Sequence, residues 1–372
     1  MEAPTLSSSF VKEAAIRVGF DACGIAVASP LTEEEWGYEE WLRRGYQADM
    51  AYMEQHRDKR SDPTLLVPGA RSVIVLLSGY KPSQTMQGRV SGARIAQYAY
   101  GEDYHERIKR MLYELIAAIR QRYPDFEAKP CVDTVPISDK QWARRAGLGW
   151  IGRNTLLVNP VLGSYCNIGE LVTPSPADSY DTPIENRCRA CRACVDACPN
   201  HALSESRANS FAMPSQSMVT TEGSNHALSE SRANSFALPS QSMVSTEGSN
   251  KALTHSSINE LTNSRINELT NSPIPLLDAN RCASYHTVEN RAETLPPDIR
   301  LSGYAFGCDI CQLICPYNQT AEVRYTLTDE RKAQLEALAD ADPTAFKRLT
   351  KHTALSRIHH SQWQRNQKQR KT

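Results

Sequence analysis

A continuous apolar run, a helix-period stripe stopped by proline, and two cysteine runs that each close on Cys-Pro predict an α/β (α+β) domain followed by a ferredoxin-like one. The 372 residues, 40% of them hydrophobic, suffice for two domains, each with its own core. The first domain is expected over 1–175 and the second over 176–320. A short helical, basic segment follows at 321–372.

Each element has a local reason. Ser7 to Ser9 can cap a helix over about 10–18, which Gly19 ends. SVIVLLSGY (72–80) is apolar and β-rich without alternation, so it reads as a strand covered on both faces. From 105 to 123, Ile108, Leu112, Leu115, Ile116 and Ile119 recur at helical spacing, and Pro124 stops the pattern. SDKQWARRA (138–146) reads as a helix capped by Ser138 or Asp139. TLLVNP (155–160) and YCNIGELVT (165–173) read as strands joined by a turn at Gly163, and PSPADSYDTP (174–183) as a linker. A last helix is expected near 329–339.

Residues 200–224 recur at 225–249 with two differences, and SINELTNS is followed by RINELTNS. A solenoid keeps an apolar pattern and varies elsewhere. This Ser- and Asn-rich segment does neither, so it reads as a duplicated loop, cheap in closure entropy. A binding loop is the alternative.

Net charge is zero, with 42 basic and 42 acidic residues, but 343–372 carries eight Lys or Arg, three His and no carboxylate. That tail is either a solvated end or a phosphate contact. No run reaches the ~20 apolar residues of a membrane span, and MEAPTLSSSF lacks the features of a signal peptide. The expectation is a cytoplasmic protein whose 11 cysteines stay reduced and serve as metal ligands rather than as a disulfide framework.

The run CRACRACVDACP (188–199) has the C-x2-C-x2-C-x3-C-P spacing in which three thiolates hold one four-iron cluster and the fourth reaches another. A partner run exists at Cys308, Cys311 and Cys315, closed by Pro316, and it lacks one cysteine. Cluster one is then Cys188, Cys191, Cys194 and Cys315. Cluster two is Cys198, Cys308 and Cys311, with Cys282 as the candidate fourth ligand. Zinc is the alternative, but its ligands come as two close pairs around one tetrahedron. Cys23, Cys131 and Cys166 read as small buried hydrophobes.

GLGWIG (147–152) has the glycines of a dinucleotide site, but a helix precedes it and a strand follows, the reverse of what that site needs. The loop can instead line a pocket, with Arg153 and Asn154 as polar contacts. Asp133 lies among apolar residues in CVDTVPIS, where desolvation would raise its pKa as suits a general acid; a turn residue is the plainer reading. Near RIAQYAYGEDYHERI, Asp103 can cap the following helix while Tyr98, Tyr100 and Tyr104 pack.

Taken together, MAYMEQHRDKRSDPTLLVPGARSVIVL, ARIAQYAYGEDYH, CVDTVPIS, AGLGWIGRNTLL, CRACRACVDACP, RCASYHTVE and GCDICQLICPYN resemble the epoxyqueuosine reductase family. The resemblance covers nearly all of 1–320 outside the repeat. It implies a cobalamin-binding catalytic domain similar to that of reductive dehalogenases, two [4Fe–4S] clusters, and reduction of epoxyqueuosine to queuosine at the wobble position of tRNA. It puts the proton donor on Asp133 and the cluster ligands on the eight cysteines named, Cys282 included. Candidate cobalamin contacts are Arg60, Tyr104, His105, Asp133, Arg153 and Asn154. DYHERI (103–108) lacks the Gly of the D-x-H-x-x-G pattern that brings a cobalt-ligating histidine, so cobalamin is expected without one. Many relatives carry a C-terminal helical-repeat domain, whereas this sequence stops soon after TALSRIHHSQWQRN. A monomer fed by a low-potential electron donor is expected. The rival readings are a non-catalytic ferredoxin-type electron carrier and a zinc-stabilised RNA-binding protein.

Overall fold

The computed structural model describes residues 3–83, 92–206 and 274–369. The repeats from 207 onward and the last three residues of the basic tail lie outside the described residues. Met1–Glu205 and Pro275–Thr372 form one compact unit, and everything below concerns it.

Its centre is a four-stranded sheet in the order Ala22–Val27, Ser72–Gly79, Cys166–Thr173, Lys129–Cys131, antiparallel throughout. All eight residues of Ser72–Gly79 are buried. The period of a strand sends them alternately to two covered faces. Ile74 and Leu76 join Leu171 under the helices Ser8–Val18 and Tyr104–Arg120. Val73, Val75 and Leu77 join Val172 against Trp142 of the helix Asp139–Arg145. A strand clad on both sides needs no polar alternation, hence the unbroken apolar run. Gly19 ends the first helix with φ 109°, a left-handed cap that glycine adopts without strain.

One pairing departs from expectation. Leu157–Val158 pairs with Trp150–Ile151, not with Cys166–Thr173. The side chain of Asn159 donates to the Leu148 carbonyl at 2.7 Å and accepts from the amides of Val161 and Leu162, which folds the chain back before it can run alongside the next strand. GLGWIG is therefore a helix-to-hairpin connection, as its context predicted.

The C-terminal segment is not a solvated end as far as Gln369. Its helices Asp329–Ala337, Pro343–Thr350 and His360–Gln369 place Leu335, Phe346 and Trp363, and the short turn Ala354–Arg357 places Leu355, in a core shared with Tyr100, Val288 and Phe306. Arg365, expected as part of a free basic tail, is buried. It donates to the carbonyls of His286 (2.8 Å), Asn290 (3.1 Å) and Ala292. Asn366 donates to those of Thr287 (2.8 Å) and Ala305 (2.9 Å). The last helix thus satisfies carbonyls at the end of the helix Ala283–Val288, the one that starts at Cys282. Trp363→Ala is expected to cost ~3–5 kcal/mol, read as a lowered denaturant midpoint at unchanged slope; a change within error would show that this core is not integral to the unit.

Candidate active site

Cys282 and the seven cysteines of the two runs lie near one another. Cys282 caps the helix Ala283–Val288, and Cys315 caps Pro316–Gln319, with the proline in the first helical turn, where its missing N–H costs nothing. Burial first, then the neighbouring thiols, push the pKa values up. For Cys194, raised to about 11, those neighbours are Cys188, Cys315 and Cys191. For Cys308, raised to about 12, they include Cys282 and Cys198. Cys311, raised well above the ordinary range, answers to Cys308, Cys282, Asp309 and Cys194, and Cys315 to Cys188 and Cys191. The sets expected from the spacing are 188, 191, 194, 315 and 198, 282, 308, 311; most of these neighbours fall within one set, while Cys194 beside Cys311 brings the two sets close to each other. The amide of Ala202 donates to Cys198 Sγ at 3.3 Å, a contact of the kind that tunes cluster potential. Among the described residues, no three or more Cys, His, Asp or Glu side chains close on a single-ion site.

The second set borders a cavity of about 400 Å3. Cys198, Cys282, Cys308 and Cys311 stand at one end; Asp133, Tyr104 and Asn154 line other parts of the wall. Asp133 follows the strand Lys129–Cys131 in a tight turn with φ 42°, a conformation that Asp tolerates better than most residues. Its carboxylate accepts from Tyr104 Oη at 3.1 Å and lies 2.9 Å from His105 Nε2, while His105 Nδ1 lies 2.7 Å from Asp103. Tyr104 and His105 stack at 4.0 Å on the first turn of their helix.

This geometry reverses the electrostatic expectation for Asp133. Burial does push its carboxyl up, but the hydrogen bond and charge of His105, aided by Tyr104, outweigh it and leave the pKa below the ordinary value. For His105, burial acts downward, and Asp103 and Asp133 overcome it to bring the pKa to about 9. Near neutrality the pair carries one proton, on the imidazole.

Of the other expected contacts, Asn154 and Tyr104 line the cavity, whereas Arg60, His105 and Arg153 are not among its lining residues. Arg60 donates to the Tyr52 carbonyl at 3.2 Å. Arg153 donates to the Cys191 carbonyl at 2.6 Å and pairs with Glu205, beside the first cysteine set. Cys166, read as a plain core residue, is on the cavity wall, as are Tyr98 and Asp139. Behind that wall lies Glu170, fully buried on the strand Cys166–Thr173. Its signal was in the sequence: a carboxylate inside the apolar stretch GELV.

A relative from Cyclobacterium marinum named epoxyqueuosine reductase is 32% identical over 96% of this chain and 95% of its own length. The chain belongs to the epoxyqueuosine reductase family. Relatives of the same name from Leadbetterella byssophila (32%, 94% of this chain and 93% of theirs) and Aliivibrio fischeri (29%, 96% and 80%) agree. The family model described as "Epoxyqueuosine reductase QueG, DUF1730" matches residues 60–134, and two described as "4Fe-4S binding domain" match 182–204 and 303–318. The two matches cover both cysteine runs, so the chain is a [4Fe–4S] protein of this family. A crystal structure of selenomethionine-labelled epoxyqueuosine reductase has the same fold, with TM-score 0.69 and 24% identity over 97% of this chain and 80% of that one. So does one solved with a tRNA-Tyr epoxyqueuosine-modified stem loop, with TM-score 0.69 and 24% identity over 97% and 79%. Among the described residues no helix is long and apolar enough to cross a membrane.

Proposed function

We propose that this chain reduces epoxyqueuosine to queuosine in the wobble position of tRNA, with electrons passing through its two clusters. The observation that carries the reading is the single cavity bordered by Asp133 and by all four cysteines of the second set. The proton source and the electron exit then open on one space.

Cobalamin is the cofactor that the family implies; a space of about 400 Å3 takes only part of so large a group, and its wall joins aromatic side chains (Tyr98, Tyr104) to amide and hydroxyl groups (Asn154, Thr155, Asn167). Tyr104, Asn154 and Asp133 would hold the group; Arg60, His105 and Arg153 support the surroundings. Bound there, cobalamin would supply a strongly reducing, nucleophilic cobalt centre. Held by the two cysteine sets, the clusters would supply single electrons beside the cavity, and the His105–Asp133 pair holds a proton for the departing oxygen.

The RNA would enter past a second cavity of about 550 Å3, where Arg348, Lys351 and His352 face Gly101 and Glu102. Arg348 and Lys351 are exposed with no partner among the described residues, ready for phosphates. The adjoining Asp103 amide donates to the His352 carbonyl at 2.8 Å, so this rim is tied to the loop that orients His105. We read residues 1–175 as the cofactor-binding part, 176–320 as the ferredoxin-like part and the remainder as the rim. A cytoplasmic monomer served by an external low-potential electron donor fits this scheme.

Anaerobically purified protein is expected to hold about eight irons per chain, to take up cobalamin, and to form queuosine in an epoxyqueuosine-containing anticodon stem-loop, with or without residues 207–273. Full clusters without turnover would leave a ferredoxin-type carrier; zinc in place of iron would end both readings.

A further inference from the structure

Opening an epoxide to an alkene breaks two carbon–oxygen bonds, releases the oxygen as water and consumes two electrons and two protons. On the reading above, the electrons arrive through the clusters from an external one-electron donor. The protons do not balance at the described pair, because His105 and Asp133 hold one between them. The cavity wall offers few other sources. Lys140 donates to the Thr155 carbonyl at 2.8 Å. Asp309, which burial also brings to about 7, lies between the expected cluster ligands Cys308 and Cys311, and both its oxygens are engaged, by the Gln97 amide at 2.8 Å and by Gln312 at 3.3 Å.

Asp139 is different. It stands on the wall at the start of the helix Asp139–Arg145, and its Oδ1 has no hydrogen-bond partner in the protein. Its neighbour Glu170 is 0% exposed, and no donor other than the Asp139 carboxyl group itself reaches its carboxyl oxygens. Two ionised carboxylates buried together without donors would cost many kcal/mol, whereas a neutral acid beside a carboxyl group does not. The charged and titratable groups facing the pair are Asp133, Lys140, Arg60 and the buried thiol of Cys131. Lys140 and Arg60 favour ionisation but do not reverse the effect of burial. Burial, with Asp133 adding to it, brings Asp139 to about 7, and burial with Asp139 takes Glu170 well above the ordinary carboxylate range.

We propose that Asp139 and Glu170 form a proton store that supplies the second proton of the reaction, passing it to Asp133 once the proton held by His105 has gone through Asp133 to the departing oxygen. The inference rests on the reading of the reaction given above. In each cycle the store loses one proton, becomes a carboxylate–acid pair and recovers its proton from solvent through the cavity.

Infrared difference spectroscopy and single-turnover kinetics test it. The wild type at neutral pH should show the carbonyl band of a neutral, buried carboxylic acid, shifted in D2O and absent from Glu170→Gln. Asp139→Asn should slow a single turnover by roughly 10²-fold at unchanged iron content and RNA affinity and should alter the proton inventory, while Asp139→Glu recovers most of the rate. Wild type without that band, or Asp139→Asn at full rate, overturns the store. If the variants do not fold, the wild-type band decides. Wild type that fails to turn over the RNA instead sinks the reading of the reaction itself.

Discussion

Cys282→Ala is expected to halve the iron, from about eight to about four per chain, and to abolish turnover. On the crossed assignment Cys282 is the fourth ligand beside Cys198, Cys308 and Cys311, with which it lines the cavity, and takes no part in the set completed by Cys315. Its loss removes one of four ligands from the cluster nearest the substrate and none from the other. Cluster one should persist and still accept an electron, giving one remaining signal in electron paramagnetic resonance, with no route onward. Cys23→Ala serves as the control: Cys23 sits half-buried on the strand Ala22–Val27, apart from both sets, and its loss should leave the iron unchanged. A Cys282 variant that retains about eight irons and full turnover would break the crossed assignment.

The two cluster-binding runs were legible because ligand spacing is local chemistry. Three cysteines within seven residues can wrap one cube only in a few ways, and the fourth must look elsewhere. The strand Ser72–Gly79 and the helix Tyr104–Arg120 were legible for a similar reason, since burial on two faces or on one stripe writes itself into the residue period. What the sequence did not disclose depends on contacts between distant segments. Asp133 in isolation suggested a desolvated acid with a raised pKa. His105, 28 positions earlier, reverses that once the fold sets the two 2.9 Å apart. The pairing of Leu157–Val158 with Trp150–Ile151 was not foreseen, because the side chain of one residue, Asn159, decides where the chain turns. The C-terminal segment looked like a charged end because Arg365 and Asn366 are polar. Their partners are backbone carbonyls more than sixty residues away, and composition cannot name those.

Asp133→Asn should leave the iron content intact and lower turnover by about 10²–10⁴-fold, the range for loss of a positioned proton donor. The asparagine keeps the size of the side chain and can accept from Tyr104 as the carboxylate does, at 3.1 Å in the native protein, but it can neither take a proton from His105 nor give one to a leaving oxygen. The pH dependence follows from the same pair. His105 is raised from its ordinary 6.5 to about 9, so its charged contacts stabilise the fold fully below 6.5 and are lost as pH climbs through about 9. Asp133 is lowered, so its share is present above its ordinary 3.8 and is lost only as pH falls through the depressed value. Wild-type turnover should therefore decline on the alkaline side near 9, when the shared proton leaves the imidazole. His105→Asn, which cannot hold that proton, should lose this limb while keeping its clusters. A pH profile for His105→Asn identical to that of the wild type, or Asp133→Asn at the native rate, would mean that the epoxide oxygen takes its proton from another group on the wall, with Asp139 the next to replace.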